Sequence, residues 1–100
     1  MDAAMKVLTN AELLCLRIEI WSYEEPMEDP YVVTESAAEA YEAMKGLEYV
    51  NTVKFYKWYE GEGYKFVGTC FMSTSKDYEP DERVIDYTDN EWIEEALEAA

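Results

Sequence analysis

The residues best able to do chemistry in this chain are carboxylates, two cysteines and a block of aromatic side chains. Asp77, Glu79 and Asp81 alternate along DYEPD, as the first three ligands of a calcium loop do. Such a loop then requires glycine at its sixth position and glutamate at its twelfth, and here those positions hold Glu82 and Thr88. No metal site is therefore expected. The chain has no histidine, so the commonest general base and metal ligand is missing. Cys15 and Cys70 accordingly lack an imidazole that would take up a thiol proton. Both fall in stretches that read as strands. They are expected to be buried thiols in a reducing cytoplasm, although an even number also permits a disulfide. Carboxylate pairs carry no information, because 23 acids in 100 residues supply every spacing by chance. An acid/base pair needs one carboxyl marked out by an apolar pocket, and the sequence marks none. The expectation is a protein that is not an enzyme and needs no cofactor.

The aromatic block has a different chemistry. Tyr56 and Trp58, with Lys54 and Lys65, are the residue types that stack on bases and hold phosphates. The glycine-aromatic motif of an RNA-recognition sheet is absent, however, and a net charge of −15 repels a polyanion. Tyr, Trp and Arg are also the residues that anchor protein interfaces, and Arg17 and Trp21 extend the block from another strand. A protein-binding face is the preferred reading of Tyr56 and Trp58.

The acids are unevenly spread. Residues 1–18 sum to zero, and residues 49–76 hold four lysines and two glutamates. Residues 19–48 hold nine acids and one lysine, and residues 77–100 hold ten acids and one arginine. The charge is thus concentrated in two loop–helix segments. Glu35, Glu39 and Glu42 line one helix, and Glu91, Glu94, Glu95 and Glu98 line the other. Glu91/Glu95 and Glu94/Glu98 are like-charge pairs one turn apart, each destabilising by ~0.2–0.5 kcal/mol. Glu98 also sits at the negative end of the helix dipole. A helix shaped by stability alone would carry lysines there. The plain alternative is a solvated surface that tolerates a small cost.

The element that positions the aromatics is a hairpin across Thr52–Ser73, with its turn at Glu60-Gly61-Glu62-Gly63. A register with Tyr59 opposite Tyr64 pairs Lys57 with Phe66, Phe55 with Gly68 and Val53 with Cys70, and this face is assigned to the core. Lys54, Tyr56 and Trp58 then lie opposite Thr69, Val67 and Lys65 on the other face. A one-residue slip would exchange the two faces.

Upstream, Thr9-Asn10-Ala11-Glu12 resembles a capping box, so a short helical turn is expected there. Leu13–Ser22 alternates as a half-buried strand, with Leu14, Leu16, Ile18 and Ile20 inward. Glu24–Pro30 is an acidic, proline-containing loop, and Tyr31–Thr34 a short strand antiparallel to the first. Ser36–Lys45 is a helix with Ser36 and Glu39 as its capping box, Gly46 as its stop, and Ala37, Ala40, Tyr41 and Met44 as its apolar stripe. After the hairpin come an acidic loop at Thr74–Glu82 and a short fifth strand at Arg83–Tyr87. A second helix starts at Thr88 and buries Trp92, Ile93, Ala96 and Leu97. The whole chain, 1–100, reads as one small acidic α+β domain: a single antiparallel sheet of four to five strands with two helices on one face. Two short helices cover one face, so the Tyr56/Trp58 face is left to solvent or to a partner.

In size, net charge and lack of catalytic residues the chain resembles, as a class, the small acidic inhibitors of phages and other mobile elements, of anti-CRISPR and anti-restriction type. Some of these mimic DNA. The resemblance covers no motif and transfers no functional residue. It implies a stoichiometric inhibitor that occupies the nucleic-acid site of a host protein, with no direct nucleic-acid or membrane partner. Glu35, Glu39, Glu42, Glu91, Glu94, Glu95 and Glu98 would stand in for phosphates, and the loops at Glu24–Asp29 and Asp77–Glu82 would extend the surface. The rival expectation is an adaptor or oligomerising module, a homodimer included, that binds through Tyr56 and Trp58. No apolar run approaches the ~20 residues of a membrane span, and residues 1–16 lack a signal-peptide pattern. The expected location is the cytoplasm, that of the host cell if the chain is phage-encoded.

Overall fold

The computed structural model describes residues 2–22, 28–47, 50–87 and 90–99. Among these, α1 (Ala3–Leu13), β1 (Arg17–Ser22), β2 (Val32–Thr34), α2 (Ala37–Lys45), β3 (Asn51–Tyr59), β4 (Gly63–Met72), β5 (Val84–Tyr87) and α3 (Glu91–Glu98) follow in chain order, with a 3-10 turn at Pro80–Glu82. The strands form one five-stranded sheet in the order β2-β1-β3-β4-β5, antiparallel throughout. This is the α+β architecture expected from the sequence, with a third helix added.

That helix is α1, where the sequence reading placed only a turn at Thr9. Ala3, Ala4, Val7, Leu8 and Ala11 recur at helical spacing and are all buried. Asp2 is its N-cap and accepts from the Met5 N–H at 2.7 Å. Thr9-Asn10-Ala11-Glu12 therefore lies inside a helix and is not a capping box. Asn10 instead donates to the Trp92 carbonyl of α3 at 3.0 Å. The Glu12 carboxylate accepts from the Ala37 N–H at the start of α2, at 3.4 Å.

The helix also consumes the first residues assigned to the strand. Leu14 is exposed rather than inward, and Cys15 is exposed in a turn rather than buried in a strand. The Leu16 N–H reaches back to the Ala11 carbonyl at 2.9 Å, and the Cys15 N–H to the Glu12 carbonyl at 3.0 Å. This is a Schellman termination, and its left-handed position, usually a glycine, is filled by Cys15 at φ 58°. A side chain costs ~1–2 kcal/mol in that conformation. Cys15→Gly should therefore raise stability by about 1 kcal/mol, read as a higher urea midpoint at an unchanged slope.

Beyond the turn the alternation holds. Leu16, Ile18 and Ile20 are buried and face Val53, Phe55, Cys70 and Met72 from the neighbouring strands. Thr34 shares this side through its pairing with Ile18. Ala37, Ala40 and Met44 of α2 and Ile93 and Ala96 of α3 complete one continuous core with α1. α1 packs against both α2 and α3, so all three helices lie on the same side of the sheet.

The hairpin turn closes through the Glu62 N–H to the Tyr59 carbonyl at 3.1 Å, with Gly61 and Gly63 at φ 82° and 80°. The register differs from the expected one in half of the hairpin. Val53 pairs with Cys70 and Phe55 with Gly68, as expected, but Tyr56 pairs with Phe66, Trp58 with Tyr64 and Tyr59 with Gly63. Val67 is the additional residue, in a bulge between these two ladders. The bulge reverses the facing of the β4 residues beyond it. Tyr64 and Phe66 join Tyr56 and Trp58 on the helix-free face, and Lys65 pairs with Lys57 on the other. Val67 packs against the core rather than lying on the open face.

Candidate functional site

Two surfaces carry the residues singled out by the sequence, and they lie on opposite sides of the sheet. The first is the helical layer. Ser36 caps α2 as expected and accepts from the Glu39 N–H at 3.3 Å. The Glu39 carboxylate does not return to the Ser36 N–H, as a capping box would have it. It accepts from the Thr34 hydroxyl at 2.7 Å, and that hydroxyl oxygen accepts from the Ser36 N–H at 3.0 Å. Glu42 pairs with Lys45 at 2.9 Å, and that carboxylate holds the Lys45 ammonium above its ordinary pKa.

Asn90 holds the N-cap position of α3 without a side-chain capping bond, and Thr88, the expected cap, lies outside the described residues. Its buried side is Ile93 and Ala96, with Trp92 and Leu97 partly covered. Glu35, Glu39, Glu42, Glu91, Glu94, Glu95 and Glu98 are all exposed. Among the described residues, no cation lies within ion-pair distance of Glu35, Glu39, Glu91, Glu94, Glu95 or Glu98. The two stripes do not adjoin, since α1 runs between α2 and α3. A groove of about 230 Å³ between α1 and α3 is lined by Lys6, Asn10, Leu13 and Glu95 among others. Asp77–Glu82 is exposed throughout, as are Glu28 and Asp29, while Glu24 and Glu25 lie outside the described residues.

The second surface is the bare face of the sheet. Tyr56 and Phe66 meet edge to face at 5.8 Å between ring centroids, and Trp58 and Tyr64 at 5.1 Å. The Arg17 guanidinium stands 5.1 Å from the centre of the Tyr64 ring and pairs with Glu19 at 3.1 Å. Glu19, buried among its neighbours, also accepts from the Trp21 indole N–H at 3.2 Å. Lys54 caps the Trp21 ring at 4.5 Å. Burial, and then the nearby Glu19 charge, raise the Tyr56 phenol above its ordinary pKa. Sequence reasoning placed Tyr56, Trp58, Arg17 and Trp21 correctly on this face and missed Tyr64 and Phe66. The available signal was Gly68, a glycine inside an otherwise regular strand, which commonly marks a bulge.

Comparison with protein-family models, with curated proteins and with solved structures finds no match.

The remaining candidates for chemistry are separated in space. Cys15 and Cys70 are both free thiols, one exposed in the α1–β1 turn and one in the core. Burial, with the Asp86 charge second, pushes the Cys70 thiol up to about 12. Among the described residues no group of three or more metal-ligating side chains converges. No helix is long and apolar enough to cross a membrane among the described residues.

Proposed function

We propose that this protein is a non-catalytic inhibitor that binds a nucleic-acid-handling host protein, of CRISPR or restriction type, and blocks its basic nucleic-acid site. The single observation that carries this reading is the helical layer. Seven glutamates on or beside α2 and α3 point to solvent, and six of them have no cation within ion-pair distance among the described residues. The Glu91/Glu95 and Glu94/Glu98 pairs work against helix stability by ~0.2–0.5 kcal/mol each, so folding does not account for them. Solvated carboxylates on rigid helices can replace phosphates at a basic site, and the −15 net charge speeds encounter with such a partner.

The enlarged aromatic face favours a second reading, in which Tyr56, Trp58, Tyr64 and Phe66 bind a partner protein and the acids serve solubility. Salt separates the two. The test begins with capture of the host partner and its release by competing duplex DNA or RNA. Changing Glu91, Glu94, Glu95 and Glu98 together to glutamine keeps size and helix propensity. Folding stability should hold or rise slightly. Affinity should fall about tenfold or more at low salt, and the loss should shrink as salt rises. The matched control is Tyr56→Ala with Trp58→Ala, which leaves the charge untouched. Normal binding by the glutamine variant at low salt, with loss in the aromatic variant, would overturn polyanion mimicry in favour of the second reading.

A further inference from the structure

The bare side of the sheet has a composition that selects its partner. Trp58, Phe66 and Tyr64 keep 59%, 53% and 45% of their surface in water, next to the half-buried Tyr56, Trp21 and Phe71. Val33 continues the apolar surface onto β2 through its pairing with Glu19. Contiguous apolar patches of this kind mark interaction sites. Charge narrows the choice of occupant. The chain carries −15, yet the charged residues at ladder positions on this face are Arg17 and Lys54 against Glu19 and Asp86, which balance. A basic partner is drawn to the helical layer and not to this neutral face. Two copies, by contrast, can approach here with their acidic helices turned away from each other. Size permits it. Strands of six, three, nine, ten and four residues, spaced ~4.8 Å apart and rising ~3.3 Å per residue, give a footprint on the order of 500 Å² a side, about the ~1,000 Å² in total that a specific interface needs.

We infer that this face binds a second copy of the chain, the two sheets stacked face to face about a two-fold axis. The aromatic strip of one copy packs against that of the other. Arg17 and Lys54 lie over aromatic rings within their own copy. The outward helical layers make the dimer bivalent in glutamate stripes.

The test is the mass in solution, by analytical ultracentrifugation over a concentration series at salt from about 0.05 to 1 M. Two molecules of like charge repel, so the dimer should tighten as salt rises, by about tenfold across the range. This is opposite in sign to binding of a basic partner. Phe66→Asp places a charge at the centre of the contact without disturbing the core, and should give monomers at every salt. Hydroxyl-radical labelling of the unaltered protein is the second measurement. Trp58 and Tyr64 should be protected in concentrated samples and labelled in dilute ones. A monomer at all salts and concentrations overturns the inference. So does a dimer indifferent to Phe66→Asp, or one that leaves Trp58 and Tyr64 as reactive as in the monomer. The four-glutamine variant distinguishes this result from polyanion mimicry, because it should keep the dimer or tighten it whatever happens to host binding.

Discussion

Gly68→Ala is expected to destabilise the fold by ~2–3 kcal/mol and to loosen α3 from the sheet. Gly68 lies in the β4 bulge at φ 158°, a conformation that side chains rarely adopt. A β-carbon there would stand 3.1 Å from Ile93 Cδ1, 3.2 Å from Asn90 Nδ2 and 3.4 Å from Trp92 Cζ2. Those three residues begin α3, so the missing side chain is what lets the helix seat on the strand. The same bulge presents the Val67 carbonyl to α3, where it accepts from the Trp92 indole N–H at 3.0 Å and from the Asn90 side-chain amide. Trp92 in turn meets Phe55 edge to face at 4.8 Å. A helix pushed outward loses these contacts together. Urea unfolding measures the cost, and near-ultraviolet circular dichroism reports the Trp92 environment. An unchanged midpoint would show that α3 has room to shift without loss.

Asp2→Ala is expected to cost about 3 kcal/mol, because one carboxylate closes three elements at once. Asp2 caps α1, pairs with Arg83 ahead of β5 at 2.8 Å, and accepts from the Tyr41 hydroxyl of α2. Arg83 also donates to that hydroxyl oxygen at 3.1 Å, and both ends of the ion pair are largely buried. The alanine variant removes the cap and leaves a guanidinium short of its partner in a half-dry site. The pH dependence has a definite sign. Burial by itself would raise the Asp2 carboxyl. The hydrogen bonds from Tyr41, the Met5 N–H and Arg83, with the Arg83 charge, outweigh it and hold the pKa below its ordinary value of 3.8. A depressed folded pKa contributes stability that is fully present above 3.8 and is lost as pH falls through the folded value. Many carboxylates titrate in that window, so the readout is the difference between two curves. Asp2→Asn should lie below the unaltered protein above about pH 4, with the gap closing as pH falls further. A gap independent of pH would mean that Asp2 acts through packing alone.

Much of this was legible before folding because it is local. The alternation of Leu16, Ile18 and Ile20 marks the strand and its buried side. Ser36 and Gly46 bound α2, the paired glycines at Gly61 and Gly63 mark the hairpin turn, and the exposed glutamates follow from helical spacing. Each of these signals is complete within a few residues. The α1 helix was obscured because its buried stripe is built largely of alanine, and because Thr9 and Asn10 mimic a helix start. The Leu14–Cys15 error has the same root. A two-residue alternation extends through those positions, but a Schellman termination requires them and takes precedence.

What only the tertiary structure decided turns on Val67. A regular hairpin and a bulged one share the same turn and alternation signals, with Gly68 alone hinting at the bulge, yet they send Tyr64 and Phe66 to opposite faces. The choice rests with α3, some twenty-five residues later, which needs both the Val67 carbonyl and the bare Cα of Gly68 to dock. Composition and spacing thus determined the acidic helices, the inward strand residues and the sheet's general plan. Tyr64 and Phe66 join the aromatic face because a distant helix stabilises one additional residue in a strand, and no local pattern encodes that contact.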